Sequence, residues 1–118
     1  MRMGRTVFIV DDQPEFRLRV RELLDSEGFV VVGEAGDVQS AIAAGLHLHP
    51  QVMLVDVRLP DGSGTDIARA TRAWASPPVV VLTSTADYSH AVRECGAAGF
   101  IPKASLSGAR LAAVVESA

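Results

Sequence analysis

Val52-Met-Leu-Val-Asp-Val-Arg-Leu-Pro-Asp-Gly-Ser-Gly64 is the stretch whose reading decides the fold. Four apolar residues, Val52 to Val55, run straight into Asp56, and a turn-rich segment follows. A short apolar run, half of it β-branched, reads as a strand covered on both faces. Asp56 therefore stands where a buried strand ends and the chain returns to solvent. In open parallel α/β sheets, ligand sites lie at that carboxyl edge. Leu59-Pro60-Asp61-Gly62 supplies turn chemistry, with Pro fixing φ, Asp bonding its own backbone and Gly taking conformations other residues avoid.

Working outward, three further apolar quartets stand out, Val7–Val10, Phe29–Val32 and Val79–Leu82, and a shorter run, Gly99-Phe100-Ile101, follows them. The intervals between them hold one strand plus one crossover helix, which is the pattern of a parallel sheet. Helical periodicity fills those intervals. Phe16, Val20, Leu23 and Leu24 form a stripe after Pro14, a residue suited to a first helical position, and Gly28 closes the helix. Val38, Ala41, Ile42, Gly45 and Leu46 form a second stripe, with Asp37 as N-cap and Pro50 as stop. Ile67, Thr71 and Trp74 mark a third helix that ends before Pro77-Pro78. A short fourth helix is expected from about Tyr88 to Cys95, and a fifth from a Ser105 cap onward, facing inward through Leu111 and Val115. The expected fold is α/β, a (βα)5 doubly wound parallel five-stranded sheet of flavodoxin-like type with strand order 2-1-3-4-5 and helices on both faces.

The 118 residues are expected to form one domain, 1–118, with no second domain in the chain. No apolar stretch is long enough to span a bilayer, and no basic-then-apolar leader opens the sequence, so a cytoplasmic location with no membrane partner is expected. The single cysteine, Cys95, excludes an internal disulfide. A net charge of −3 gives no electrostatic case for nucleic-acid binding by this domain. Ten of the eleven basic residues are arginine, so the one lysine, Lys103, at the end of the fifth strand, is unusual for this chain.

The first quartet also ends in acid, Asp11-Asp12. If strands one and three are neighbours, three carboxylates meet at one sheet edge. Bare carboxylates about 4 Å apart repel by roughly 4 kcal/mol per pair at an effective dielectric of about 20. Such a cluster needs a proton or a cation. An oxygen-only set with room for water suits Mg²⁺ better than zinc or a closed calcium cage. Taken alone, Asp11-Asp12 also reads as a solvated turn before the first helix. The fourth strand delivers Thr83-Ser84-Thr85 to the same edge, and the fifth delivers Lys103, a compact cation suited to phosphate or carboxylate. Together these residues make a coherent anion-plus-metal site.

Val7–Asp12, Asp56-Val-Arg-Leu-Pro60 with Gly64, Val79–Thr83 and Gly96-Ala-Ala-Gly-Phe-Ile-Pro-Lys103 resemble the receiver domain of bacterial two-component response regulators over essentially the whole chain. Val31-Val-Gly-Glu-Ala35 and Gly96–Ser105 are most similar to receivers of the NarL/LuxR-type transcriptional regulators. The resemblance implies a phosphorylation-dependent signalling switch in which Asp56 accepts a phosphoryl group from a sensor histidine kinase. It implies Mg²⁺ on Asp12, Asp56 and the backbone carbonyl of Arg58, with Asp11 acting largely through water. It implies Thr83 and Lys103 on phosphoryl oxygens, and Phe100 moving with Thr83 to change the surface of the fourth helix, fifth strand and fifth helix. A C-terminal helix-turn-helix output domain outside this chain is the implied partner, and pairing of two copies on phosphorylation is left open. The chain departs from the family pattern at Ala104, where many receivers place proline, and at Phe100, which lacks the hydroxyl of the commoner tyrosine. Arg58 and Thr85 stand where family members tune phosphoryl lifetime.

The resemblance implies no turnover of an external substrate. A Mg²⁺-dependent aspartyl-phosphate phosphatase of haloacid dehalogenase type would place Asp-x-Asp on its first strand, and neither Asp11-Asp12-Gln13 nor Asp56-Val57-Arg58 has that spacing. A receiver-like module that takes no phosphate would lack an acid, the hydroxyl or the lysine, and none is missing. His47 and His49 read as cations at a helix C-terminus. Gly62-Ser-Gly64 has no third glycine at dinucleotide spacing. Trp74 and Cys95 read as packing.

Overall fold

The computed structural model describes residues 4–118. Five parallel strands, β1 (Thr6–Val10), β2 (Val30–Ala35), β3 (Val52–Asp56), β4 (Val79–Ser84) and β5 (Gly99–Pro102), form one sheet in the order β2-β1-β3-β4-β5. This is the order the sequence pattern implies. All five residues of β3 are buried, as an apolar run at the centre of a two-sided sheet requires. At the edge, β2 is largely half-exposed, and Val30 is 49% accessible.

Period-two alternation divides the core. Phe8, Val10, Met53, Val55, Val80 and Leu82 face one side, where α2 (Val38–Leu48), α3 (Gly64–Thr71) and α4 (Ala91–Cys95) cover them with Ala41, Ile67, Ala68, Ala91 and Cys95. Val7, Ile9, Val52, Leu54, Val81 and Ile101 face the other, under α1 (Pro14–Ser26) and α5 (Gly108–Ser117), which contribute Phe16, Val20, Leu24 and Leu111. Pro14 opens α1, and Gly28 follows its end at φ +90°, a conformation glycine adopts at little cost. The Asp37 carboxylate accepts the Ser40 N–H at 2.7 Å and caps α2, and His49 closes that helix in the left-handed region.

Four boundaries differ from the sequence reading. The second strand lies later than Phe29–Val32, because Phe29 packs into the core beneath α1 while Gly33-Glu34-Ala35 continue the pairing with β1. The third helix stops at Thr71, and Trp74 packs against Gly45 of α2 from the following turn. The fourth helix is only Ala91–Cys95, because Asp87 accepts the Ser89 N–H at 2.9 Å and holds the preceding residues in a turn. Ser105 does not cap the last helix. It ends a 3₁₀ turn, Lys103–Ser105, and Ser107 caps α5 by accepting the Arg110 N–H at 3.1 Å. The Glu27 carboxylate accepts the Gly108 N–H at 3.2 Å, fixing that start from the far end of α1.

Candidate functional site

Strand register assembles the site. Val10 is level with Val55, so Asp11 and Asp56 leave the sheet side by side. Asp56 is level with Thr83, and Thr83 and Ser84 are level with Ile101 and Pro102, which places Lys103 one residue above. After Asp56 the chain makes a short antiparallel ladder, Arg58–Leu59 against Gly62–Ser63, and enters α3. Ser63 and Asp66 form a reciprocal capping box at that entry. Gly64 is required there, since a β-carbon would press on the Asp56 carbonyl oxygen and lie 2.8 Å from Val55 Cγ1.

The acids come together. Asp11, Asp12 and Asp56 each offer a carboxylate oxygen within 4.8 Å of the others. Asp11 is fully buried and Asp56 nearly so, while Asp12 is exposed. Asp11 Oδ1 accepts the Gln13 N–H at 2.9 Å, and Asp56 Oδ1 accepts the Arg58 N–H at 3.2 Å. Lys103 Nζ lies 2.6 Å from Asp11 Oδ2 and 3.1 Å from Asp56 Oδ2, bridging the two buried carboxylates. Burial pushes the Asp56 carboxyl above its ordinary value, against the pull of Lys103 and the Arg58 N–H, and Asp11 adds to the rise. For Lys103, burial works downward, but the contacts with Asp11 and Asp56 outweigh it and hold the ammonium above its usual range.

Three carboxylates face one ammonium, so the cluster carries an excess of negative charge at a largely buried spot. All its donors are oxygens, and the exposed Asp12 leaves one side open to water. That donor set fits a hard divalent cation such as Mg²⁺. Thr83 is 1% accessible, and its hydroxyl has no hydrogen-bond partner among the described residues. Buried hydroxyls are rarely left so, and Thr83 is level with Asp56 on the neighbouring strand. Phe100 is half-buried on β5, level with Leu82, and packs on the α4 side of the sheet.

Other residues meet structural demands. His47 and His49 end α2, and neither joins a metal-holding cluster among the described residues. Cys95 is fully buried. Three contributors have roles at the site that the sequence reading does not give them: Arg17 goes unnamed there, Phe16 reads as core, and Asp61 reads as a turn residue bonding its own backbone. Arg17 Nη1 donates to the Asp11 carbonyl at 2.5 Å while its Nε donates to Glu34 Oε1 at 2.8 Å, tying α1, β1 and β2 together behind the acids. The Asp61 carboxylate accepts the Val38 and Gln39 N–H groups at 2.8 and 3.1 Å, anchoring the loop after Asp56 to the start of α2. The Phe16 ring lies 4.2 Å beneath the Lys103 ammonium. Arg17 and Phe16 fall within one turn of the Pro14 helix start, but only the tertiary fold shows what they meet.

Known proteins share this fold. Residues 7–116 match the model of the response regulator receiver domain. The chain is similar to the transcriptional regulatory protein PdtaR of Mycobacterium tuberculosis, 37% identical over 102 residues, covering 84% of this chain and 49% of that protein. Among solved structures it is similar to the signal receiver domain of NarL from Mycobacterium tuberculosis, with a TM-score of 0.83 and 33% identity over 96% of this chain and 98% of that one. A two-component response regulator of the LuxR family from Aurantimonas superposes with a TM-score of 0.84 at 27% identity, covering 97% and 84%. The chain spans about half the length of the curated relatives it matches.

Proposed function

Since the chain belongs to the response regulator receiver domain family, whose members are phosphorylation-dependent switches, we propose that Asp56 is its phosphoacceptor and Lys103, Thr83 and Phe100 its means of response. The observation that carries this reading is the bridge from Lys103 Nζ to both Asp11 and Asp56, with Thr83 level with Asp56 and its buried hydroxyl without a partner among the described residues. A carboxylate oxygen of Asp56 attacks phosphorus, the bond from phosphorus to the donor breaks, and an acyl phosphate forms on Asp56. The Arg58 N–H orients the carboxylate for that attack. Lys103 moves from a carboxylate oxygen to a phosphoryl oxygen, and the Thr83 hydroxyl acquires the acceptor it lacks. Movement of Thr83 opens space that Phe100 fills, which shifts the surface of α4, β5 and α5 between two states.

Asp12, Asp56 and the backbone carbonyl of Arg58 would hold Mg²⁺, with Asp11 acting through water. When bound, the ion neutralises charge on the carboxylates and the transferring phosphoryl group. The donor is a sensor histidine kinase, and the partner of the switched surface is a helix-turn-helix output domain or a second copy. Residues 1–118 act as one receiver unit in the cytoplasm, promoting only their own phosphorylation and dephosphorylation, without binding nucleic acid directly. Among the described residues no helix is long and apolar enough to cross a membrane. A phosphatase of haloacid dehalogenase type draws no support, since the family match covers residues 7–116 and neither acidic pair has the spacing that chemistry uses.

Incubation with Mg²⁺ and acetyl phosphate, followed by intact-mass measurement, tests the reading. Wild type should gain one phosphoryl group and Asp56→Asn none. A gain of one group in both proteins would refute the assignment.

A further inference from the structure

Lys103 has a third neighbour that electrostatics between acids and amine does not explain. Its ammonium sits 4.2 Å from the centroid of the Phe16 ring, within the distance at which the face of an aromatic ring attracts a cation. Phe16 is 9% accessible and belongs, with Val20 and Leu24, to the buried cluster beneath α1, so most of its ring is packed in the core. The Lys103 side chain is 13% accessible, which removes most of the water that would weaken the attraction. On the outer side of this pair lies a small cavity lined by Phe16, Arg19, Val20, Leu23, Lys103 and Leu106. A long, flexible amine released from the acids has that space to swing into.

We propose that Phe16 is a positioning residue for phosphoryl transfer, whose ring face keeps the Lys103 ammonium over Asp56 while its anionic partners change. The inference rests on the reading of Asp56 as phosphoacceptor. The two carboxylate contacts cannot do this work alone. Asp56 Oδ2 is the partner that Lys103 exchanges for a phosphoryl oxygen, and Asp11 shares its charge with any cation the acids hold. The ring is the neutral contact that stays in place throughout. It attracts without competing for the ammonium's hydrogen bonds, so the amine slides between oxygens across a fixed platform. Arg19 also approaches this ring, its Cζ 5.9 Å from the centroid, but Arg19 is exposed and its hold is correspondingly weaker.

The test separates the electrostatics of the ring from its bulk. Phosphorylation by acetyl phosphate with saturating Mg²⁺ is followed by intact mass for the full chain as wild type, Phe16→Leu, Phe16→Trp and a protein carrying pentafluorophenylalanine at position 16. Circular dichroism confirms that each is folded under the assay conditions. Fluorination keeps the shape and burial of the ring but reverses the charge distribution on its face. The expected result is a rate about three- to tenfold lower for both Phe16→Leu and the fluorinated protein, with Phe16→Trp near wild type. A fluorinated protein as fast as wild type, or Phe16→Leu as fast as wild type, overturns the inference and leaves the role of Asp56 intact. A wild type that takes up no phosphoryl group overturns the phosphoacceptor reading, and the inference falls with it.

Discussion

Replacing Asp56 by Asn should stabilise the protein when no divalent cation is present and make it the less stable of the two when Mg²⁺ saturates the site. Asp11 and Asp56 carry oxygens within 4.8 Å of each other, a gross repulsion of about 3.5 kcal/mol at an effective dielectric of about 20. Asn removes that repulsion and the cost of a buried charge. Against it stands the weakening of one charge-assisted contact with Lys103, about 1.5–3 kcal/mol, while Lys103 keeps Asp11 at 2.6 Å. The balance is a net gain of about 1 kcal/mol at neutral pH and low salt. Burial raises the Asp56 carboxyl above its ordinary 3.8, so ionising it costs the folded state stability as pH rises through the folded value. The advantage of Asn is therefore fully present above that value, fades as pH falls from it toward 3.8, and is gone below 3.8. Urea unfolding reads the effect as a midpoint shift of roughly 0.5 M for a slope near 2 kcal/mol/M. Mg²⁺ at about 100 times its dissociation constant should add about 2.7 kcal/mol to wild type, and clearly less to the variant. An Asn variant less stable than wild type without Mg²⁺, or one that gains as much from Mg²⁺, would refute the reasoning.

Other substitutions probe the frame around the acids. Thr83→Val removes a buried hydroxyl that has no partner among the described residues, so urea stability should hold or rise by up to about 1 kcal/mol. The same variant should lose the beryllofluoride-induced NMR shifts in α4, β5 and α5, and retention of those shifts would count against Thr83 as the switch. Gly64→Ala forces a β-carbon against the Asp56 carbonyl and Val55, at a cost of about 1–3 kcal/mol in thermal or urea unfolding. An unchanged midpoint would mean that α3 does not approach β3 so closely. Glu34, held below its usual pKa mainly by its hydrogen bond to Arg17, stabilises the fold above its unfolded pKa and loses that effect as pH falls through the folded value. Glu34→Gln should cost no more than about 1 kcal/mol at neutral pH, with the difference gone in acid, and an equal difference at both pH values would be the contrary result.

The strand tips were legible because they rest on rules of one dimension. An apolar run ending in Asp11, Asp56, Thr83 or Lys103 places those residues at one edge as soon as the strands are parallel, and register then sets Thr83 level with Asp56 and lets Lys103 reach Asp11 and Asp56. The order 2-1-3-4-5 followed from crossover handedness and the family pattern. The misplaced boundaries lie where two local solutions compete. Ser105 and Ser107 are both good caps, and the choice falls to Ser107 because Glu27, distant in sequence, accepts the Gly108 N–H. Trp74 keeps helical spacing with Ile67 and Thr71, yet its ring finds Gly45 from a turn. Phe16 reads as core because its period is that of core, and nothing in a stripe of apolar residues says that its ring lies under Lys103. The role of Asp61 was hidden for the same reason: its partners, Val38 and Gln39, are backbone groups of another element.

The most direct test of the central claim is to find the atom that is phosphorylated. An acyl phosphate is reduced by borohydride to the alcohol, so a phosphorylated aspartate becomes homoserine and can be located by peptide mass spectrometry. The account predicts homoserine at position 56 alone after treatment with Mg²⁺ and acetyl phosphate. Homoserine at position 11 or 12, or a phosphoryl group that survives reduction on a serine, threonine or histidine, would contradict it.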